Sequence, residues 1–404
     1  MKSDAAPRAQ PDRATIGERA AGGSRSRWVI LGSYGLLAAC TQLLWLTFAP
    51  VDTRAAAVMR VDVGSVGDLA AVFPLVYVLL ALPTGRWLDA RFGQALGVGA
   101  MLTAGGGLLR LLAPTSFVAQ LIGQVIIAAG QPLVLNSITK VAARYFPERE
   151  RATAISVGTV ALFVGILAAV LTGGVLFDAG GLPLLLAVQA VVAAIGAVLM
   201  VMALRIRPAF PDNASAAVSL RWLVKDRFMW ILAALVFIGM GTYNAVATWL
   251  QPILAHFGEG GAAGSLIAVM TFAGVIGAAV LPPAVAARDR RRSLLVAALG
   301  VSALVFAAIA LRDGVVWVGA WLFVQGFVLM ASLPVVLDWS EIHVGPERQG
   351  TAAGFLFMAG NLGGLVLVLM VQPLIGGTHL PFVALAVAAL IGLPLAFRLP
   401  ARAT

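Results

Sequence analysis

Amide side chains stand inside runs of residues that are otherwise fit only for hydrocarbon: Gln42, Gln120, Gln124, Gln131, Asn244, Gln251 and Asn361. Burying an amide in an apolar medium is costly unless it finds a partner. Each of these therefore either ties two helices together or waits for a polar solute. Spacing separates the cases. Gln120, Gln124 and Gln131 lie four and seven residues apart, so they share one helical face, as do Asn244, Thr248 and Gln251. Gln42 shares a face with Trp45. Polar groups gathered on the first, fourth and seventh runs are what a central solute cavity requires.

A second kind of chemistry sits nearer the ends of the runs. Lys140 lies near the end of the fourth run, and Asp338 and Glu341 near the end of the tenth. Charges inside a span are expensive, usually paired and usually functional. Two roles are open: contact with a substrate, or a latch with Asp89, Arg91, Asp289 or the arginines at 290–292; the latch is favoured. No carboxylate or histidine stands near the middle of any run, which favours a facilitator, or coupling through something other than a buried acid. Cys40 is the single cysteine, and His256, His343 and His379 are scattered. With no metal-ligand cluster, phosphate-binding loop or nucleophile–base pair, nothing points to an enzyme or a cofactor.

The elements that must position these groups are membrane helices. Of the residues 60% are hydrophobic and 11% charged, with a mean hydropathy of +0.96. A soluble domain carries roughly 25% charged residues to cover its surface. Twelve runs reach the length of about 20 residues that a span needs: 28–50, 65–86, 95–113, 116–143, 153–176, 182–204, 229–256, 262–286, 293–312, 314–341, 350–375 and 379–398. They are too long for barrel strands, and the first lacks the cleavage site of a removable signal. With both termini on one side, 24 of the 28 basic residues fall on that side and four, Arg54, Arg60, Arg110 and Arg312, on the other, so the positive-inside rule makes the terminus side cytoplasmic. The net charge of +10 is thus topological, and nucleic acid is not a partner.

The chain also repeats itself. Leu82-Pro83 precede Asp89 as Leu281-Pro282 precede Asp289, an offset of 200. Pro147-Glu148-Arg149 and Pro346-Glu347-Arg348 recur at an offset of 199, each opening a run of small residues. Two landmarks at one interval imply two six-helix halves. The expected divisions are a tail at 1–27 that composition reads as disordered, a first half at 28–204, a linker at 205–227, a second half at 228–398 and a short tail at 399–404. Such a duplication places a site at the membrane midplane between the halves.

Gly85-Arg86-Trp87-Leu88-Asp89-Ala90-Arg91-Phe92-Gly93 resembles the cytoplasmic loop signature of the major facilitator superfamily, with the basic residue and second glycine each one place later than usual. The resemblance implies an all-α membrane fold of twelve transmembrane helices in two pseudo-symmetric halves. It also implies that Asp89 caps a neighbouring helix and closes the cytoplasmic side. Gly85, Asp89, Arg91, Gly93, Lys140, Asp289, Asp338 and Glu341 are the expected gating set.

Gly123-Gln124 through Gly130-Gln131-Pro132, then Tyr145-Phe146 and Thr153-Ala154, resemble the fourth and fifth helices of the feline leukaemia virus subgroup C receptor-related transporters. Leu333-Pro334 with Asp338, and Pro346-Glu347 with Gly350-Thr351 through Asn361, resemble their tenth and eleventh. That family carries choline and related amines and has been linked to haem. Its cation site is similar to an aromatic cage helped by glutamines, where ring faces attract a quaternary ammonium. Gln131 matches a family glutamine, and Asn361 stands where the family has another. Asn244 falls at a family tyrosine, with Tyr243 beside it. Gln42 occupies an aromatic position, with Trp45 one turn further.

Together these give a secondary transporter in the plasma (inner) membrane, multi-pass and monomeric, with its partners a small-molecule substrate and the lipid bilayer. It would move a small organic solute by alternating access through a cavity lined by Gln42, Trp45, Gln131, Tyr243, Asn244, Gln251 and Asn361. Efflux of amphipathic compounds or drugs, or haem export, is the alternative.

Overall fold

Hydrocarbon offers the backbone no hydrogen-bond partners, so each apolar run closes its own ladder as a helix. The computed structural model describes residues 13–210, 219–256, 258–312, 314–376 and 379–402, with side chains placed from Arg25 onward. In chain order the helices are α1 (Arg13–Trp45), α2 (Asp52–Met59), α3 (Val63–Leu112), α4 (Phe117–Leu135), α5 (Ile138–Tyr145), α6 (Glu148–Ala203) and α7 (Arg221–Lys225). There follow α8 (Arg227–Ala255), α9 (Ala263–Ala287), α10 (Arg291–Leu311), α11 (Val315–Val344), α12 (Gln349–Val371) and α13 (Leu380–Phe397).

Among the described residues ten helices are long and apolar enough to cross a bilayer. Two of them cross twice. The ladder of α3 breaks at Arg91, with φ −146° and ψ 61°. That of α6 breaks at Gly180 and Gly181, where a φ of +66° at Gly181 suits only a residue without a side chain. Twelve crossings in two halves of six result, and the chain is a multi-pass all-α membrane protein.

The boundaries differ from the hydropathy reading in identifiable places. Helix α1 starts at Arg13, inside the expected tail 1–27, of which residues 1–12 lie outside the described residues. It stops at Trp45 rather than 50; Pro50 cannot donate to a continuing ladder, and the chain passes through a short 3-10 turn at Ala49–Val51 into α2. The fourth run divides into α4 and α5 around Asn136 and Ser137, and the tenth runs on to Val344. The expected linker 205–227 holds α7, while its residues 211–218 lie outside the described residues.

The apolar core is distributed unevenly along the membrane normal. At the end bearing the termini one cluster joins both halves, running from Ile30 and Tyr34 through Leu88, Phe146 and Ile155 to Leu295, Val336 and Phe355. At the far end each half keeps its own core: Phe48, Leu69 and Leu186 in the first, Leu250, Phe306 and Phe382 in the second. The halves are thus fused at the terminus end and separate beyond it.

Candidate functional site: a neutral cavity above a sealed end

Between the halves, on the far side of the shared core, lies a cavity of about 120 Å³, room for several waters or a small organic solute. Six of the seven expected lining residues border it: Gln42, Trp45, Gln131, Tyr243, Asn244 and Asn361. Gln251 does not. It is exposed about two turns nearer the far end of α8 than Asn244, so a shared face carried it past the cavity rather than into it. Sequence reasoning had no signal for the apolar remainder of the wall, which includes Phe73, Phe163, Met240, Met330 and Phe357. Every residue bordering the cavity is free of formal charge: there is no Asp, Glu, Lys, Arg or His among them.

The polar groups differ in how much bonding capacity the protein already uses. The Trp45 indole donates to the Ala70 carbonyl at 2.9 Å, fixing its ring beside Phe73 at 6.2 Å between centroids. The Tyr243 hydroxyl meets Thr271 at 3.1 Å. Asn361 donates to the Phe357 carbonyl at 2.9 Å, which leaves its amide oxygen for other use. Gln131 is only 4% exposed, yet its amide makes no hydrogen bond within the described residues. Asn244 likewise has none, and the absence of a side chain at Gly364 gives it room. The Ser332 hydroxyl, which also borders the cavity, is buried without a partner. A wall of rings with unspent amides and no fixed charge can bind a neutral polar molecule or a soft organic cation. It has no fixed positive charge to offer an inorganic anion.

The other glutamines of α4 take a different job. Gln124 donates to the Leu69 carbonyl at 3.2 Å and Gln120 to that of Arg110 at 3.0 Å. They bind helices together inside the first half. Arg110, which the loop count placed at the far surface, is instead wholly buried in the last turn of α3. Its guanidinium donates to Gln124 at 2.6 Å, to Thr47 at 2.8 Å and to the Leu44 carbonyl at 3.2 Å, and stacks over the Phe48 ring. A partner at hydrogen-bonding spacing on a neighbouring helix was the missing information.

Below the cavity the terminus end is sealed. The Asp89 carboxylate accepts the backbone N–H of Gly350 at 2.8 Å and of Thr351 at 2.9 Å, and the Thr351 hydroxyl at 2.6 Å. These are first-turn donors of α12 that have no partner inside the helix, and the positive end of its dipole favours a carboxylate there. Lys140, fully buried, stands 3.4 Å from the same carboxylate and donates to the Pro346 carbonyl at 2.9 Å. The approach is possible because both helices carry glycine. A Cβ on Gly85 would lie 2.6 Å from the Gly350 carbonyl, and one on Gly350 2.7 Å from that of Gly85. A second bond crosses nearby, from Arg151 to Glu341 at 2.9 Å, with Gln349 donating to the same oxygen at 2.8 Å.

The rest of the expected gating set is arranged differently. Asp338 and Asp289 are both held by Arg291, at 2.6 Å and 3.1 Å, a pairing within the second half. Arg91 is exposed at the break in α3 and bonds to nothing among the described residues. Gly93 is exposed with open space where a side chain would go. These two shape the turn and take no part in the seal.

Residues 29–368 match the model of the Major Facilitator Superfamily, and the chain belongs to that superfamily. It is a secondary transporter of a solute, the role that the superfamily match and its relatives support. Within the superfamily it is 30% identical to solute carrier family 49 member A3 of Danio rerio, over 88% of this chain and 80% of that one. It is 23% identical to the human choline/ethanolamine transporter FLVCR2, over 85% and 71% respectively. The crystal structure of the human organic anion transporter MFSD10 superposes with a TM-score of 0.77 at 15% identity, over 92% of this chain and 99% of that one, a likeness of fold.

Proposed function

We propose that the chain moves a small organic solute, with an amine or other soft cationic head, through the cavity by alternating access. The observation that carries this reading is the buried Gln131 amide, unspent beside the rings of Trp45 and Tyr243 in a wall without charge. Relatives named for choline and ethanolamine transport point the same way. Ring faces attract such a head by about 2 kcal/mol when water is excluded, and the amides take its hydroxyl. The structure then represents the state closed at the terminus end, which the distribution of basic residues makes cytoplasmic in a plasma (inner) membrane.

The test is thermal stabilisation of the purified protein by choline, ethanolamine, other quaternary amines, haem and amphipathic drugs, since a ligand of the folded state raises its Tm by mass action. A shift with small amines that disappears in Gln131→Ala supports the reading. A shift with bulky amphipaths alone replaces it with drug efflux, which the adaptable walls at Met240 and Met330 would suit. No cationic side chain borders the cavity to pair with the propionates of a haem, so haem is expected to give none.

A further inference from the structure

A second recess lies outside the transport path, on the surface between α8 and α13 at the terminus end. It holds about 260 Å³ and is bordered by Arg227, Trp230, Ile231, Ala234, Leu395 and Arg398. The two arginines stand where the apolar helices stop: Arg227 is the first residue of α8, and Arg398 caps α13. Both are exposed, and neither has an acidic partner among the described residues. The nearest acid in sequence, Asp226, is already committed, accepting the Met229 N–H at 3.1 Å and pairing with His343 at 2.9 Å.

The floor of the recess is apolar and continues outward. Trp230 is half exposed, packed edge-on against Phe355 at 5.0 Å. On α13 the exposed positions Val383, Val387, Leu390 and Ile391 recur at helical spacing, and the same stripe runs on through Pro394 to Arg398. An exposed apolar stripe on a spanning helix is suited to acyl chains. A tryptophan at the head-group level is a common interfacial anchor. Two unpaired guanidiniums above an apolar channel that opens on lipid are complementary to one kind of molecule.

We infer that this recess binds an anionic phospholipid, its phosphate held between Arg227 and Arg398 and an acyl chain lying along Trp230, Ile231, Ala234 and Leu395. Arginine forks match phosphate oxygens in pairs, and basic recesses between membrane helices hold such head groups. A zwitterionic lipid is a poorer fit, because its ammonium group meets no carboxylate here. Free phosphate is poorer too, because it leaves the apolar floor uncovered. The site joins α8, which also borders the central cavity, to α13, so an occupant braces α13 against α8.

The experiment compares the Tm of the delipidated full-length protein with phosphatidylglycerol, phosphatidylcholine or inorganic phosphate added. Phosphatidylglycerol is expected to raise the Tm by on the order of 2–4 °C, and the other two by much less. Arg227→Gln and Arg398→Gln, made singly, should each reduce that rise, and the pair should remove it. Arg205→Gln with Arg207→Gln takes the same charge from the same end of the molecule and should leave it intact. Equal rises with phosphatidylcholine, an equal rise with inorganic phosphate, or a rise that survives in the Arg227/Arg398 pair would each overturn the proposal. Should the pair fail to fold, the two single variants decide, since an unchanged rise in both sinks it as surely.

Discussion

The Arg110 guanidinium donates to the Leu44 carbonyl at 3.2 Å, across the first half and one residue before Trp45. Leu44 belongs to the last turn of α1, whose carbonyls have no donor inside the helix. A cation at that end is favourable, and the bond ties the end of α1, next to Trp45, to α3. Arg110→Ala is expected to leave Gln124 and Thr47 without their partner and a cavity in their midst. Stability should fall by roughly 2–4 kcal/mol. Thermal unfolding in detergent measures this, and a Tm unchanged from the parent would mean the network is idle.

Trp45 should carry selectivity for cations, if the proposed solute is one. Losing a desolvated cation–π contact of about 2 kcal/mol weakens a quaternary amine about 30-fold. Trp45→Leu should show that loss for choline and a much smaller one for a neutral solute of similar size. Binding isotherms with both ligands check it.

The glycine contact makes a conformational prediction. Gly350→Ala puts a methyl group 2.7 Å from the Gly85 carbonyl, a distance real atoms do not adopt, so α3 and α12 must part. The sealed state is penalised and the opposite one gains. A cysteine introduced by Val336→Cys, with Cys40→Ala to remove the native thiol, reports the change. An impermeant maleimide reaching it from the terminus end should react faster in the Gly350→Ala background. Equal rates in the two backgrounds count against the seal.

Arg151 and Glu341 should behave as a coupled pair. Removing the arginine alone strands a carboxylate that is 2% exposed, and such a stranded charge costs more than the pair contributes. Arg151→Gln is therefore expected to destabilise more than Arg151→Gln combined with Glu341→Gln. A coupling of roughly 1–3 kcal/mol should emerge from the double-mutant cycle. Simple additivity would show that the two do not act together.

The membrane fold was legible because length, apolarity and the recurrence of Asp89 at Asp289 are properties of one dimension. The lining of the cavity was legible where a polar residue interrupted an apolar run at mid-depth, as at Gln42, Gln131 and Asn361. It failed at Gln251 because a helical face has direction but no depth, so a residue seven positions on can clear the cavity. Arg110 failed for another reason: its partners come from α1 and α4, and nothing in the order of residues records which helices become neighbours. Asp289 and Asp338 show the limit of reasoning by repeat. Their positions echo Asp89 and Lys140, yet Arg291 lies within reach of both and draws them into one half.

The polar residues that border the cavity and the polar and glycine contacts that seal the terminus end are separate sets, although apolar Leu295 and Val336 belong both to the cavity wall and to the core below it: Gly85, Asp89, Lys140, Arg151, Glu341 and Gly350 border no part of the cavity. On the proposed function, a change at Trp45 or Gln131 would alter what is carried while leaving every bond of that polar seal in place.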